Sequence, residues 1–246
     1  SPSDVNEGGE SPKLIASYKI ELEKGLLKSY KRLDPGEVPS SSGTAVWNAF
    51  LETAKDSPWF NNQAYADTLN PQAVAEFIKL THHRYLERVG KHFGKTVPAI
   101  FTDEPQFVHK QNLAKAEDRT DVVIPFTHDL PETYRMAYGE DILDYLPELF
   151  WDLPEGRYSA ARYQYHDHVA ERFASAFADQ VGQWCGNHGI MLTGHLMAEQ
   201  NLDSQTRAVG DVMRSLRSFQ LPGIDMLCDR REFSTAKQAQ SAAHQY

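Results

Sequence analysis

The sequence predicts an α/β protein of the (β/α)8 TIM-barrel type, incomplete in this chain, with an N-terminal β-hairpin and long loop insertions. Two patterns and one missing motif support this fold class. Short apolar strands alternate with long helices after residue 70, which requires crossover connections and a parallel sheet. Polar side chains follow the end of each strand, as in barrel enzymes. The glycine-rich turn of a Rossmann sheet, G-x-G-x-x-G, does not occur.

The N-terminal part predicts a hairpin rather than a barrel strand. Residues 1–12 are rich in Ser, Pro, Gly and acids, which is typical of a disordered or trimmed end. Apolar runs at 14–22 and 26–30 flank the turn at 23–25, as in two strands of a hairpin. A loop follows over 34–44. Residues 13–246 are expected to form the catalytic domain.

The remaining elements follow from hydrophobic spacing and from cap residues. Asn70 and Pro71 begin a helix as a cap and a first-turn proline. A short strand precedes Asp103, and a long helix over 159–185 ends at glycines. The other predicted elements are a helical region at 131–150 interrupted by Pro147, a strand at 190–196, a helix after Ser204, a strand at 224–228 and a helix at 234–246. Strands are therefore expected to end near 104, 196 and 228, and the barrel to continue past Tyr246.

The charge and the cysteine content exclude several classes of partner and cofactor. The chain has 25 basic and 34 acidic residues and a net charge of −9, so its surface repels phosphate backbones and anionic lipid. Nucleic acid and membrane are therefore not expected partners. Two cysteines make neither a disulfide scaffold nor a zinc cluster. The pair His166 and His168 lies on a helix, where residues two apart point in different directions, so no metal or cofactor is expected.

Glu104 is the strongest catalytic candidate. It directly follows an apolar strand, and Pro105 fixes the turn that presents it. Walls such as Phe101 and Phe107 would raise the pKa of the Glu104 carboxyl and suit it to general acid catalysis. The alternative is that Asp103-Glu104-Pro105 merely ends a strand.

Four further polar residues near strand ends are candidates for binding substrate. Asp103 would hold a neighbouring donor. His195 would bond a substrate hydroxyl where Gly194 permits close approach, or else is a strand-end histidine satisfied by local hydrogen bonds. Glu199 lies just beyond that strand, and Asp225 lies inside an apolar one. A charge there needs a partner, and an ion pair with Arg230 or Arg231 is the simpler explanation for Asp225.

A dense group of aromatic and amide residues lies between 57 and 67. Trp59, Asn61 and Tyr65 combine ring faces with an amide, which is what a sugar needs for stacking and directed hydrogen bonds. The alternative is a loop anchored by buried Trp59 and Phe60. The group therefore predicts carbohydrate binding or a loop anchor.

Four segments together resemble bacterial (β/α)8 glycoside hydrolases akin to clan A, such as β-galactosidases, β-mannosidases or α-L-rhamnosidases. They are 77–85, 97–105, 193–196 and 223–227, and the likeness covers roughly 57–246. The resemblance implies that Glu104 is the acid/base at the end of strand four, although Asp103 stands where the clan usually has Asn. It also implies a bacterial enzyme with a nucleophile on a seventh strand beyond Tyr246.

The predicted function is therefore removal of a terminal sugar from an oligo- or polysaccharide by a two-carboxylate retaining mechanism, with Glu104 as acid/base. If the chain is complete, Glu199 or Asp225 must be the second carboxylate. Two alternatives stay open. One is a carbohydrate-binding barrel remnant without activity. The other is an unrelated hydrolase or isomerase using His195 and Asp225, which would lie together and far from Glu104.

Overall fold

The computed structural model describes residues 11–34, 37, 45–226 and 233–246. The strands are β1 (Lys13–Glu23), β2 (Leu26–Arg32), β3 (Ala45–Leu51), β4 (Ala99–Asp103), β5 (Met191–His195) and β6 (Leu221–Pro222). The helices are α1 (Pro71–Leu80), α2 (His82–Val89), α3 (Leu130–Tyr138), α4 (Ala160–Phe173), α5 (Gln180–Asn187), α6 (Leu202–Ala208), α7 (Val212–Leu216) and α8 (Phe233–Gln245). The backbone divides into two compact units. The first is Ser1–Tyr65, Asn112–Val122 and His128–Tyr165, and the second is Ala66–Gln111, Val123–Thr127 and His166–Tyr246.

The first unit contains an antiparallel sheet with strand order β2-β1-β3. The hairpin expected from the sequence is present, because β1 pairs with β2 across a two-residue connection. Lys24 and Gly25 both take positive φ, 52° and 79°, as such a connection favours. Ala16, Tyr18 and Ile20 alternate along β1 and are buried, so one face of the sheet carries the core. Most of residues 1–12, the predicted disordered end, lie outside the described residues.

The second unit contains a parallel sheet with strand order β4-β5-β6. The pairing of β4 with β5 runs from Ala99 opposite Met191 to Asp103 opposite His195. Leu192 on β5 is fully buried, and α5 packs against this strand. The carboxyl ends of both strands therefore lie side by side at one edge of the sheet.

The helices begin and end largely where their cap residues indicate. The Asn70 side chain accepts hydrogen bonds from the amides of Gln72 and Ala73, and Pro71 is the first residue of α1. The long helix predicted over 159–185 consists of α4, a π-helical turn at Ala174–Asp179 and α5. In the described part of the chain, no helix has the length and apolar character needed to cross a bilayer.

The prediction of a (β/α)8 barrel is wrong. The described residues form a small α/β arrangement with one three-stranded antiparallel and one three-stranded parallel sheet, and no closed barrel. Residues 104–129 form no helix or strand, so a long part of the chain adds nothing to the sheet. Sequence periodicity detects a buried parallel strand but does not reveal how many strands join it.

The third strand predicted after residue 70 also lies elsewhere. Pairing with β5 occurs at Leu221 and Pro222, before the predicted range, and residues 223–226 are irregular. The strand covers only these two residues. The rest of the predicted range, 227–228, lies outside the described residues.

Candidate active site

Asp103 and His195 are brought together by the parallel register of β4 and β5. The Nε2 atom of His195 lies 3.1 Å from Oδ1 of Asp103. The imidazole is buried, whereas the Asp103 side chain is mostly exposed. The ring of Phe101, two residues earlier on β4, meets the imidazole edge-on with centroids 5.7 Å apart. His195 is thus held by a carboxylate on one side and by an aromatic ring on another.

Glu104 leaves the end of β4 in an unusual backbone conformation. Its φ of 46° lies in the left-handed region, which costs a non-glycine residue roughly 1–2 kcal/mol. The next residue, Pro105, is buried, and the Phe107 amide then donates to the Ala208 carbonyl at 3.0 Å. Strained backbone held by its surroundings is frequent at functional sites. Phe107, expected to wall the carboxyl, is buried edge-on against Phe173.

Three predicted site residues converge on one point. Ligand-capable atoms of Glu104, His195 and Asp225 all lie within 4.8 Å of one another. They come from the end of β4, the end of β5 and the segment after β6, which are far apart in the sequence. The sequence predicted Asp225 inside a strand. It lies instead in irregular backbone and is half-buried. Its proposed ion-pair partners, Arg230 and Arg231, lie outside the described residues.

Glu199 lies behind this cluster and is only 2% exposed. Its Oε1 accepts the Asp225 amide at 3.1 Å, and its Oε2 accepts the Leu196 amide at 3.3 Å. Burial raises the pKa of the Glu199 carboxyl above its usual value, although the two amides oppose that shift. Both carboxylate oxygens are thus engaged with main-chain groups, unlike those of an exposed catalytic acid.

Gly194 is required by the packing of the sheet rather than by a ligand. Its φ is 130°, and a Cβ placed there would lie 1.9 Å from the Thr102 carbonyl oxygen. The sequence predicts close approach by a substrate at this glycine, but the group that approaches is the neighbouring strand. Gly223 packs similarly, since its Cβ would meet the Gly194 carbonyl oxygen at 2.6 Å. The two glycines therefore allow three strand ends to pack closely.

The cluster also has the donor set of a divalent cation site. Two carboxylates and an imidazole within 4.8 Å of one another suit a metal that accepts mixed oxygen and nitrogen ligands. The Nδ1 atom of His195 is buried with no hydrogen-bond partner among the described residues. The sequence predicted no metal because His166 and His168, two residues apart on a helix, cannot bind one ion. Sequence spacing does not reveal ligands that come from three distant segments.

Trp59, Asn61 and Tyr65, predicted to bind sugar, belong to the first unit, whereas the carboxylates belong to the second. Trp59 is 83% exposed in a short 3-10 turn, which contradicts a buried anchor. Asn61 follows with φ of 57°, and the ring of Tyr65 lies 4.6 Å from that of Phe60. Sugar binding by these three residues stays a prediction.

Two residues that support the site were not anticipated from the sequence. The Nε2 atoms of Gln205 on α6 and Gln238 on α8 donate to the Glu199 carbonyl at 2.9 and 3.1 Å. Gln205 is 4% exposed. Glutamine is common on helices, so the residue type at this position does not predict a role in the site. Its burial is apparent only once α6 is seen to pack behind the turn.

No family model matches the chain, and no curated protein matches it. Among solved structures, it is similar to a rhamnosidase from Novosphingobium sp. PP1Y, with 18% sequence identity and a TM-score of 0.53. The match covers 74% of this chain and 16% of the rhamnosidase chain. At this identity the likeness concerns the fold alone. Much of this chain thus shares its fold with a segment of a glycoside hydrolase.

Proposed function

We propose that this chain carries the catalytic carboxylates of a glycosidase, with Glu104 as the general acid. The observation that supports it most is the convergence of Glu104, His195 and Asp225 within 4.8 Å, at the ends of parallel strands. Ligands of open α/β sheets bind outside the carboxyl ends of the strands. Glycoside hydrolysis needs a pair of carboxyl groups on either side of the bond to be broken.

Asp225 is the better second carboxylate within this chain. The Glu199 oxygens both accept main-chain amides, and its side chain is buried, so it is poorly placed to reach a sugar. Asp225 lies within 4.8 Å of Glu104. Retaining enzymes hold their carboxyl groups about 5–5.5 Å apart, whereas inverting enzymes leave about 6.5–9.5 Å for a water. A nearest approach of ligand atoms within 4.8 Å is closer to the retaining range than to the inverting range, which supports Asp225 as nucleophile.

The reaction then proceeds in two displacements. Asp225 attacks the anomeric carbon while Glu104 gives its proton to the departing glycosidic oxygen, so one C–O bond forms as another breaks. Glu104, now ionised, takes a proton from water, and the water oxygen displaces Asp225 from the sugar. His195 helps to hold this cluster together, because its Nε2 contacts Asp103 and its Nδ1 is buried. A nucleophile supplied by residues beyond Tyr246 is the alternative for the second carboxylate.

The comparison supports an order in which sugars are tried. A rhamnosidase as fold neighbour puts α-L-rhamnosides first in the trials, ahead of β-galactosides and β-mannosides. The rival hydrolase or isomerase using His195 and Asp225 required Glu104 to be remote, and the three side chains cluster instead. The alternative that remains open is a sugar-binding site without activity, because the same cluster would bind hydroxyl groups.

The test is hydrolysis of a panel of aryl glycosides by this chain and by a form extended past Tyr246, each with a Glu104→Gln counterpart. We expect one sugar to be cleaved with retained anomeric configuration, and the variant to lose activity. If neither form cleaves any glycoside while wild type and variant bind the same sugars equally, the site binds carbohydrate and Glu104 is structural.

A further inference from the structure

We infer that Glu199 is a positioning residue that fixes Asp225 at the catalytic cluster, and not a residue that touches substrate. The inference rests on the proposed function for its catalytic consequence. Its structural content rests on hydrogen bonds alone.

The backbone pairing between β5 and β6 ends before Asp225. Thr193 is opposite Leu221 and Gly194 is opposite Pro222, and the Gly223 amide donates to the Gly194 carbonyl at 2.9 Å. The next link in this direction is the Asp225 amide, which donates to Oε1 of Glu199 at 3.1 Å. The Glu199 carboxylate therefore takes the place of a strand carbonyl and continues the pairing by two more residues.

The same carboxylate is tied to the end of β5. Its Oε2 accepts the Leu196 amide at 3.3 Å, one residue after His195. One side chain thus connects the backbone next to His195 with the backbone of Asp225, and both of these residues belong to the cluster. A two-point connection of this kind sets the relative position of two catalytic groups through their main chains.

Glu199 is itself held firmly in place. The preceding residue, Ala198, has φ of 56°, and its carbonyl accepts the Ser204 hydroxyl at 2.7 Å. The Glu199 carbonyl accepts both Gln205 and Gln238, and these two amides also bond each other at 2.8 Å. The main chain of Glu199 is thus fixed and its side chain is buried. Its carboxylate therefore has little freedom to move toward a substrate.

The experiment compares wild type with Glu199→Gln, in which one oxygen that accepts an amide is replaced by a donor. Glu199→Asp is the second variant, because a side chain shorter by one methylene keeps the charge but does not span both amides. Glu76→Gln is the matched control, since it makes the same chemical change at an exposed carboxylate on α1 that pairs with Lys79. Amide hydrogen exchange at Asp225 and steady-state kinetics on the cleaved glycoside are measured for each.

We expect exchange at the Asp225 amide to quicken at least about tenfold in both Glu199 variants and to stay near wild type in Glu76→Gln. In both Glu199 variants we expect kcat to fall about a hundredfold with a smaller change in KM. A catalytic group misplaced by about 1 Å has an effect of this size. Unchanged exchange at Asp225 in the folded variants overturns the inference, and so does unchanged kcat in an active protein. Faster exchange in a protein that cleaves no glycoside supports the structural link and contradicts only the proposed function.

Discussion

The imidazole of His195 contacts the carboxylate of Asp103 across two parallel strands, with Nε2 and Oδ1 3.1 Å apart. The other ring nitrogen, Nδ1, is buried with no hydrogen-bond partner among the described residues. Asp103 therefore provides the contact that satisfies a nearly buried ring. The finding explains why an exposed acid occupies the end of β4.

Removal of this partner is expected to destabilise the fold. Asp103→Ala leaves both nitrogens of a buried imidazole without a hydrogen-bond partner among the described residues, and we expect the free energy of unfolding in urea to fall by about 1 kcal/mol. Asp103→Asn keeps an oxygen acceptor and should lose less than half as much. Equal stability of Asp103→Ala and wild type would show that the contact contributes nothing.

A second prediction concerns the close approach of β4 to β5. Gly194→Ala places a methyl group against the Thr102 carbonyl oxygen in a positive-φ conformation, and we expect a loss of about 3 kcal/mol or more in unfolding free energy. Gly186→Ala, inside α5 where a Cβ meets nothing within 4 Å, should be neutral or stabilising by up to about 1 kcal/mol. Thermal unfolding of both variants measures the difference. A well-tolerated Gly194→Ala would mean that the strands are not so closely packed.

A third prediction concerns a charged group between the π-helical turn and the end of α7. Burial tends to raise the pKa of Asp179, but hydrogen bonds from Arg217 and Ser218 outweigh it, so the pKa lies below its usual value. The ionised carboxylate then stabilises the fold above the unfolded pKa of about 3.9, and this stability is lost as pH falls through the lower folded pKa.

Asp179→Asn should therefore lower the free energy of unfolding by about 1 kcal/mol at pH 7, a modest value because the pair is partly exposed. The deficit should shrink as the pH is lowered below 4. Urea denaturation from pH 7 down to pH 3 measures it. A deficit that stays constant over this range would assign the effect to packing rather than to charge.

Local features of the fold followed from the sequence, and long-range ones did not. The cap at Asn70 and Pro71 and the turn at Lys24-Gly25 depend on neighbouring residues, so their composition predicted them. The closure of a sheet depends on strands that pair over long separations, and the barrel prediction failed for that reason. The position of β6 was missed because its two residues, Leu221 and Pro222, carry no strand periodicity.

In the candidate site, too, local features were predicted from the sequence and long-range contacts were not. Glu104 and His195 were selected because polar residues directly after apolar strands tend to meet at one edge of a parallel sheet, and they do lie close together. Glu199 was selected as a binding residue, but its burial and its two main-chain partners were not visible in the sequence. The supporting amide of Gln205 comes from a helix whose packing is tertiary information.

Protonation of the leaving group by Glu104 is tested most directly by the dependence of kcat/KM on the leaving group. Wild type and Glu104→Gln are compared on two glycosides of the same sugar, one with a poor phenol leaving group and one with an activated dinitrophenol. A general acid contributes about 10²- to 10⁴-fold only where the leaving group needs a proton. The variant should therefore lose at least about a hundredfold on the poor leaving group and less than about tenfold on the activated one. Equal losses on both substrates, or none on either, would contradict the assignment of Glu104 as the acid.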